Sequence, residues 1–385
     1  MRKRRTVAIL VASTAFALMA GGCGVGVNTK GAVVEEGQAP SGPVVTSSLD
    51  NGASVAAGTQ WSLTAASGWA IRVNGPEAAS TTPAATGAGL AAWKSRPLPP
   101  GQQIKADVEA TYSNGATRTE SYVVTTGAAK NTFGVTFNTD TATKYGVGEM
   151  PKIEFDMSIP KKSRADVVSH LTTTVSPKNL PVAYRWIDDQ TVAYRPEKFW
   201  PGHAKITVVA DISSVPITSG GRTYWGKNRT SSWRTGKSQI IRIRADRYQG
   251  QETIDGKKVR TFGTSVGKPG YTTRSGVKTL TDKFRSTRMT NIGVTSDEVY
   301  DIDVPYAMRM TETGEFLHAA PWNGNIGYAN TSHGCTNLNY SDAAWIFERA
   351  QWGDPVVTTG TSRSMETWNG PGGLWNVPWK QWRKS

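Results

Sequence analysis

The sequence predicts a mainly β protein, with two small β-sandwich modules followed by a third β-rich domain that has one main helix. Three observations lead to this fold class. Short runs of alternating apolar and polar residues, typical of half-buried strands, recur at roughly ten-residue spacing. Turn signals such as Asn114–Gly115 separate them, and only the segment near Ser341 has convincing helical signals. The chain has 385 residues, which is more than one hydrophobic core usually organises.

The N-terminus predicts export. Residues 2–5 are all Arg or Lys, and residues 6–20 form an apolar run of signal-peptide length that is short for a membrane span. The run ends in LMAGGC, which resembles a bacterial lipobox, so we expect residues 1–22 to be a lipoprotein signal peptide and Cys23 to be lipidated. An ordinary signal peptide with an incidental cysteine is the alternative. We also expect residues 23–43 to form a flexible linker and the protein to be anchored on the outer face of the membrane, facing the cell wall.

The net charge limits the range of partners. The chain carries +14, and removal of residues 1–22 leaves +10 because that segment holds four positive charges and no negative ones. A basic exported protein attracts wall polymers, anionic headgroups and nucleic acid without choosing among them. Beyond the signal there is no dense Lys/Arg cluster interleaved with aromatic residues, so we do not expect nucleic acid as a partner.

The two modules read as immunoglobulin-like sandwiches over residues 44–127 and 128–245. The first contains the alternating runs WAIRVNG, IKADVEATYSNG and TESYVVTTG. The second contains FGVTFN, PKIEFDMSIP and AKITVVADI, with Asp188–Asp189 as a hairpin turn between two aromatic-rich runs.

The third domain is predicted over residues 246–361, although its first alternating run already begins at 238. EFLHAA and DPVVTTG read as strands, and a helix between them is predicted to have Ser341 as its N-cap and Gly353 as its stop. The tail, 362–385, is rich in tryptophan and is expected to pack on this domain. A sugar-stacking platform is the alternative for these tryptophans, which are Trp368, Trp375, Trp379 and Trp382.

Cys335 is the residue that most strongly indicates chemistry. If Cys23 carries lipid, Cys335 has no partner within the chain, and an unpaired thiol in an exported protein suggests reactivity. His318, on a predicted strand, and His333, two residues before the thiol, are candidate bases. His170 and His203 fall in the second module and are expected to be structural. A zinc site formed by His318, His333 and Cys335 is an alternative, but no second cysteine is available to complete it.

The stretch from His318 to Gly360 resembles the signature of the YkuD-type L,D-transpeptidases, in which a histidine is followed after a short loop by SHGCxN. The lipobox, the paired Ig-like modules and the terminal GLWNVPWKQWRKS resemble the actinobacterial lipoprotein form of that family. The resemblance implies that Cys335 is the nucleophile, His318 the general base and the Ala319 carbonyl the group that orients this base. It also implies that His333, Gly334 and Cys335 form the loop whose backbone N–H groups face the oxyanion, with assistance from Tyr300. The substrate-binding residues that it implies are Tyr300, Ser332, Asn337, Met289 and Trp322.

The resemblance implies peptidoglycan 3→3 cross-linking through a cysteine thioester with release of D-alanine. The stem tetrapeptide is then the donor, a diamino acid on a second stem is the acceptor, carbapenems acylate Cys335, and no metal or cofactor is needed. Three alternatives stay open: an L,D-carboxypeptidase, protein attachment to peptidoglycan with the same cysteine chemistry, and a non-enzymatic wall-binding scaffold.

Overall fold

The structure is a computed structural model that describes residues 41–85, 89–142, 144–291 and 298–384. The predicted signal peptide, Cys23 and most of the predicted linker lie outside these residues. Among the helices that it does describe, none has the length and apolarity that a membrane crossing requires.

The first module wraps one sheet around its own core. The sheet runs in the order β1-β3-β6-β4-β7-β8-β2, with β5 paired to β6. As the sequence predicts, Asn114 and Gly115 form the turn of the hairpin between β7 and β8, and Gly115 has the positive φ of +90° that favours glycine. The strands are β1 Val45–Ser47, β2 Ala53–Val55, β3 Ser62–Ala65, β4 Trp69–Asn74, β5 Ala78–Pro83, β6 Leu90–Ser95, β7 Gln103–Tyr112 and β8 Thr117–Thr126.

The second module is a sandwich of two four-stranded sheets, β10-β12-β15-β14 and β11-β19-β16-β13, with a smaller sheet β17-β18-β9. Its core is separate from that of the first module. The predicted turn at Asp188–Asp189 joins β14 to β15. The elements are β9 Thr132–Phe133, β10 Val135–Phe137, β11 Lys144–Tyr145, β12 Lys152–Phe155, α1 Arg164–Ser169, β13 Leu171–Ser176, β14 Ala183–Trp186, β15 Thr191–Arg195, β16 Lys205–Ala210, β17 Pro216–Ser219, β18 Arg222–Gly226 and β19 Arg229–Thr235, with short 3-10 turns at Asn138–Thr141 and Lys161–Ser163.

The third domain packs a six-stranded sheet and a four-stranded sheet with one helix around a shared core. Its first strand, β20, pairs with β21 and β28, so the boundary predicted at 245/246 falls one strand too late. The elements are β20 Gln239–Arg244, a 3-10 turn Ala245–Arg247, β21 Gln249–Ile254, β22 Lys257–Gly263, β23 Arg274–Thr279, β24 Lys283–Thr290, β25 Asp301–Arg309, β26 Phe316–Ala319, β27 Thr336–Leu338, α2 Tyr340–Arg349 and β28 Pro355–Thr359.

The helix α2 begins and ends earlier than the sequence predicts. Asn339 rather than Ser341 is its N-cap, and Ala350 rather than Gly353 follows its last residue. Asp342 forms an ion pair with Arg260 at 2.7 Å across to β22, which fixes the first turn. Gly353, with φ of +86°, instead shapes the turn into β28.

The tail joins the third domain to the second module. Its strand β29, Arg363–Ser364, pairs with β23, and the Asn376 amide bonds both backbone groups of Val277 at 2.7 and 2.9 Å. Trp375 and Trp382 are buried in the core of the second module, where the Arg195 guanidinium stacks on both rings. The expectation that the tail packs on the third domain is therefore incomplete. The remaining tail elements are a 3-10 turn Pro371–Asn376 and α3 Trp379–Trp382.

Candidate active site

Parallel pairing of two short strands brings the distant motif residues together. β26 and β27 pair in register, so His318 lies beside Asn337, two residues after Cys335. The 320–335 loop thus returns the thiol to the histidine strand. Cys335, His318 and Asn337 all line one cavity of about 500 Å³.

The Cys335 thiol is protonated in the resting site. Burial raises the pKa of Cys335 to about 11, and the hydrogen bond from the Phe316 backbone opposes this only in part. The side chain is half-buried, and its sulfur lies 3.8 Å from the Gly314 carbonyl oxygen, which accepts the S–H. A thiol of this kind needs a base when it reacts.

His318 has the geometry of that base. Its ring is buried and its Nδ1 lies 2.7 Å from the Ala319 carbonyl oxygen. Because a carbonyl can only accept, Nδ1 carries the hydrogen and Nε2 keeps a lone pair. Burial lowers the pKa of His318 to about 4, although the bond to Ala319 acts in the opposite direction. The imidazole is therefore neutral near pH 7 and able to accept a proton.

The loop before Cys335 is held by side chains that satisfy its own backbone. The Ser332 hydroxyl donates to the Cys335 carbonyl at 2.6 Å and accepts the Gly334 N–H at 3.1 Å. The resemblance implies that Ser332 binds substrate and that the Gly334 N–H serves the oxyanion. Here both groups are engaged in the turn instead. Within the described part of the chain the Cys335 N–H has no protein acceptor, which makes it the better oxyanion donor.

Thr273 fixes the peptide that carries this N–H. Its buried hydroxyl donates to the Gly334 carbonyl at 2.7 Å and accepts the Gly267 N–H at 2.8 Å. Because the peptide is planar and trans, holding the Gly334 carbonyl directs the Cys335 N–H to the opposite side of the loop. Gly334 has φ of +122°, a conformation that favours glycine.

The His333 ring is held by neighbouring side chains. Its Nε2 lies 2.8 Å from Glu298 Oε2, and its ring lies between Tyr271 and Tyr300, with centroids 4.8 and 5.1 Å away. Lys268 also binds Glu298. These contacts attach Glu298 and Tyr300, which lie just before β25, to the nucleophile loop. The zinc alternative is not supported, because across the described ranges no three His, Cys, Asp or Glu side chains converge as a metal site requires.

The remaining predicted residues surround the cavity. Met289 and Tyr300 line it from the hairpin, and Met289, like Cys335, packs against a small core of β25 and β26 residues. Trp322 lines the cavity from the loop after β26, with its ring 6.4 Å from that of His318. Burial raises the pKa of Tyr300, and so does the charge of a Cys335 thiolate. Asn337 is buried, and its Oδ1 has no hydrogen-bond partner among the described residues, so an acceptor is available to a ligand N–H.

Sequence reasoning missed Thr273 and Glu298. Thr273 lies 62 residues before the cysteine in a segment read only as strand and turn, so no local spacing links it to the loop. The sequence signal that was available is GKPGYTT, a glycine-rich turn followed by hydroxyl residues, but its contact partner is set by tertiary packing.

Two family matches agree with this architecture. Residues 53–216 match the bacterial Ig domain, and residues 238–358 match the L,D-transpeptidase catalytic domain. The second match begins one residue before β20, in agreement with the corrected boundary. The first spans parts of both modules.

The chain is also similar to individual relatives. It is 31% identical to L,D-transpeptidase 2 of Mycobacterium tuberculosis (strain CDC 1551 / Oshkosh) over 248 residues. This alignment covers 62% of this chain and 58% of that protein. It is 30% identical over 190 residues to L,D-transpeptidase 1 of Mycobacterium tuberculosis (strain ATCC 25618 / H37Rv), which covers 48% of this chain and 69% of that protein. The chain thus spans less than two thirds of the first relative.

A solved structure of an LD transpeptidase in complex with imipenem matches with a TM-score of 0.49 and 27% identity, over 59% of this chain and 99% of that one. By its catalytic-domain match and its similarity to L,D-transpeptidase 1, the chain belongs to the L,D-transpeptidase family.

Proposed function

We propose that the protein is a peptidoglycan L,D-transpeptidase that forms 3→3 cross-links through a thioester on Cys335. One observation carries the proposal: a neutral His318, whose Nδ1–H is held by Ala319, lines the same cavity as the Cys335 thiol. This pairing supplies a nucleophile and a base without a metal or cofactor.

In the first half-reaction, the thiol turns from Gly314 towards His318 and gives its proton to Nε2 as the sulfur attacks the carbonyl of the third stem residue. The tetrahedral oxyanion is stabilised by the Cys335 N–H, with Tyr300 beside it. One such donor is worth about 3–4 kcal/mol. When the C–N bond breaks, His318 returns the proton to the amine of the leaving D-alanine, and a thioester remains on Cys335.

In the second half-reaction, the side-chain amine of a diamino acid on another stem attacks the thioester carbonyl. His318 takes a proton from this amine, and collapse of the intermediate breaks the C–S bond. The protonated base then restores the thiol. The same base would serve water or a protein amine, so the acceptor distinguishes a transpeptidase from a carboxypeptidase or an attachment enzyme.

The proposed setting is the outer face of the membrane, with lipid on Cys23 and the catalytic domain facing the wall. The sequence LMAGGC supports the lipid, and the net charge of +10 after removal of residues 1–22 supports contact with anionic wall polymers. We also propose that carbapenems acylate Cys335, because opening of a strained lactam uses the same nucleophile, base and oxyanion donor.

The test is incubation of the protein with a disaccharide-tetrapeptide, followed by mass spectrometry of the products. A cross-linked dimer with loss of one D-alanine is expected. A product consisting only of tripeptide would replace the proposal with carboxypeptidation. If Cys335→Ala leaves the product intact, the cysteine mechanism is excluded.

A further inference from the structure

Four charged side chains form a buried charge cluster next to Cys335, defined here as Lys278, Glu315, Arg274 and Glu366. One carboxylate oxygen of Glu315 lies 2.9 Å from Lys278 Nζ, and the other lies 2.9 Å from Arg274 Nη1. The Arg274 guanidinium also pairs with Glu366. Lys278 has no exposed surface, and Arg274 and Glu315 are buried. The reaction described above uses none of these charges.

The cluster touches the nucleophile through the backbone on both sides of Glu315. The Gly314 carbonyl accepts from the Cys335 sulfur at 3.8 Å, and the Phe316 N–H bonds the same sulfur. Glu315 therefore lies between the two backbone groups that contact the thiol, and it also lines the cavity. A shift of Glu315 would move both contacts.

The C-terminal tail completes the cluster. The Asn369 side chain donates to Thr313 Oγ1 at 3.0 Å and accepts the Thr313 N–H at 3.1 Å, so the tail holds the turn that leads into Glu315. Asn369 also donates to Glu366 at 3.0 Å. Burial opposes ionisation of Glu366, but the hydrogen bonds from Asn369 and Arg274 prevail and lower its pKa to about 2.

Burial of Lys278, Arg274 and Glu315 is costly, since an apolar set of similar volume often stabilises a fold as well or better, whereas Glu366 is partly exposed at the edge of the cluster. Here the charges balance, with two positive and two negative groups, and the two nearest the thiol act on it in opposite directions. Glu315 raises the pKa of Cys335, whereas Lys278 lowers it. Both charges therefore contribute to the electric field at the sulfur.

We propose that the buried charge cluster positions the nucleophile. It holds residues 314–316 against the Cys335 sulfur, sets the local charge there and connects the C-terminal tail to the active site. The proposal rests on the proposed function only in taking Cys335 as the reactive group. Its residues are positioning residues, because they act through the backbone and the field and do not touch the reacting carbonyl.

The test measures thiol reactivity and needs no peptidoglycan. In a full-length Cys23→Ser chain, where Cys335 is the sole thiol, the rate of alkylation by iodoacetamide is followed by intact mass across pH 7–9. The titratable groups that face the thiol are Glu315, Lys278, Tyr300, His318 and the neighbouring His333. Failure of transpeptidation with normal alkylation would count against the proposed function alone.

Two variants move the rate in opposite directions. At pH 8, Glu315→Gln is expected to raise the alkylation rate about tenfold, and Lys278→Met to lower it by a similar factor, since a charge at this range shifts a pKa by about one unit or more. The double variant is expected to return towards the parent rate. The matched control is Glu348→Gln, which removes a carboxylate from an exposed ion pair with Arg285 in the same domain and should leave the rate unchanged.

A purely structural role gives a different result, namely lower melting temperatures with alkylation rates that do not change or that change in the same direction. Either outcome overturns the proposal.

If the two core variants do not fold, Glu366→Gln at the edge of the cluster tests the proposal instead. That variant should raise the rate by a smaller factor than Glu315→Gln, and an unchanged rate contradicts the tail link. After unfolding in guanidinium, all variants should alkylate at one common rate.

Discussion

The cavity has two walls that are built differently. The strand wall is β26 and β27 with His318 and Asn337, which are buried and fixed by parallel backbone pairing, and with the half-buried Cys335 immediately before β27. The hairpin wall is β24 and β25 with Met289 and Tyr300, attached to the rest of the site through half-exposed contacts around Glu298. If the proposed mechanism holds, we expect proton transfer to depend on the strand wall, whose geometry is fixed by several contacts, and substrate entry to depend on the hairpin wall, whose contacts are open to water.

The largest effect is expected in the strand wall. His318→Gln removes the base while keeping a side chain of similar length, so kcat/KM for cross-linking should fall by about 10²- to 10⁴-fold. His203→Gln is the matched control, because that histidine lies in the second module with an exposed side chain paired to Asp255. Equal activity of the parent and His318→Gln would contradict the expectation that proton transfer depends on the strand wall.

A smaller but still clear loss is expected when the support of the strand wall is removed. Thr273→Val leaves the buried Gly334 carbonyl and Gly267 N–H without their partner, which costs about 1–3 kcal/mol of stability for each group. Displacement of the Cys335 N–H should lower kcat by about tenfold to a hundredfold. Circular dichroism and steady-state kinetics measure the two effects.

The hydroxyl itself is tested by Thr273→Ser, which should restore most of the activity because serine presents the same donor and acceptor. If Thr273→Val and Thr273→Ser behave alike, the hydrogen bonds to the loop are not what positions the cysteine.

In the hairpin wall the effects should be modest and should appear mainly in KM. His333→Gln removes the ring that lies between Tyr271 and Tyr300 and weakens the contact with Glu298. Because these contacts are partly exposed, we expect KM to rise by less than about tenfold with kcat nearly unchanged. A fall in kcat as deep as that of His318→Gln would show that the two histidines share the proton transfer.

The smallest expected effect is an unusually acidic limit to activity. The pKa of His318 is lowered to about 4, so the base stays neutral, and kcat/KM should stay on its plateau, until the pH falls to about 4.

The lowered pKa of His318 also makes the free energy of unfolding depend on pH. The unfolded histidine binds protons that the folded one does not, so its contribution to stability is present above pH 6.5 and is lost as the pH falls through about 4.

A pH-rate profile of the parent protein measures this limit between pH 3.5 and 8. An acid limb near pH 6.5 instead of 4 would mean that His318 is solvated in the working enzyme, and the strand wall would then be no more rigid than the hairpin wall.

Much of the architecture could be read from the sequence because it depends on local periodicity. Alternation identified the strands around His318 and β28, and Asn114–Gly115 identified a hairpin. The boundary predicted at 245/246 was wrong because it assigned β20 to the second module, and strand alternation does not say which sheet a strand joins. The start of the helix was wrong because Asn339, which caps a helix as well as serine does, comes before Ser341, and the end was wrong because the helix stops at Ala350, before Gly353.

The site could be predicted only as far as the motif reaches. His318, Cys335 and Asn337 are linked by spacing and by resemblance, and the structure brings them to one cavity. The roles of Thr273 and Glu315 could not be predicted, because each acts through a contact whose partner is more than 15 residues away in sequence. The docking of Trp375 into the second module could not be predicted for the same reason. Nothing in the sequence links Trp375 to Arg195, the residue whose guanidinium stacks on its ring.

The division of labour between the two histidines is the central claim, and single-turnover acylation of Cys335 by imipenem tests it most directly. The rate of adduct formation is measured by intact mass for the parent, His318→Gln and His333→Gln. We expect a rate at least about a hundredfold lower than the parent for His318→Gln and within about tenfold of the parent for His333→Gln. A slow His333→Gln beside a normal His318→Gln would contradict it.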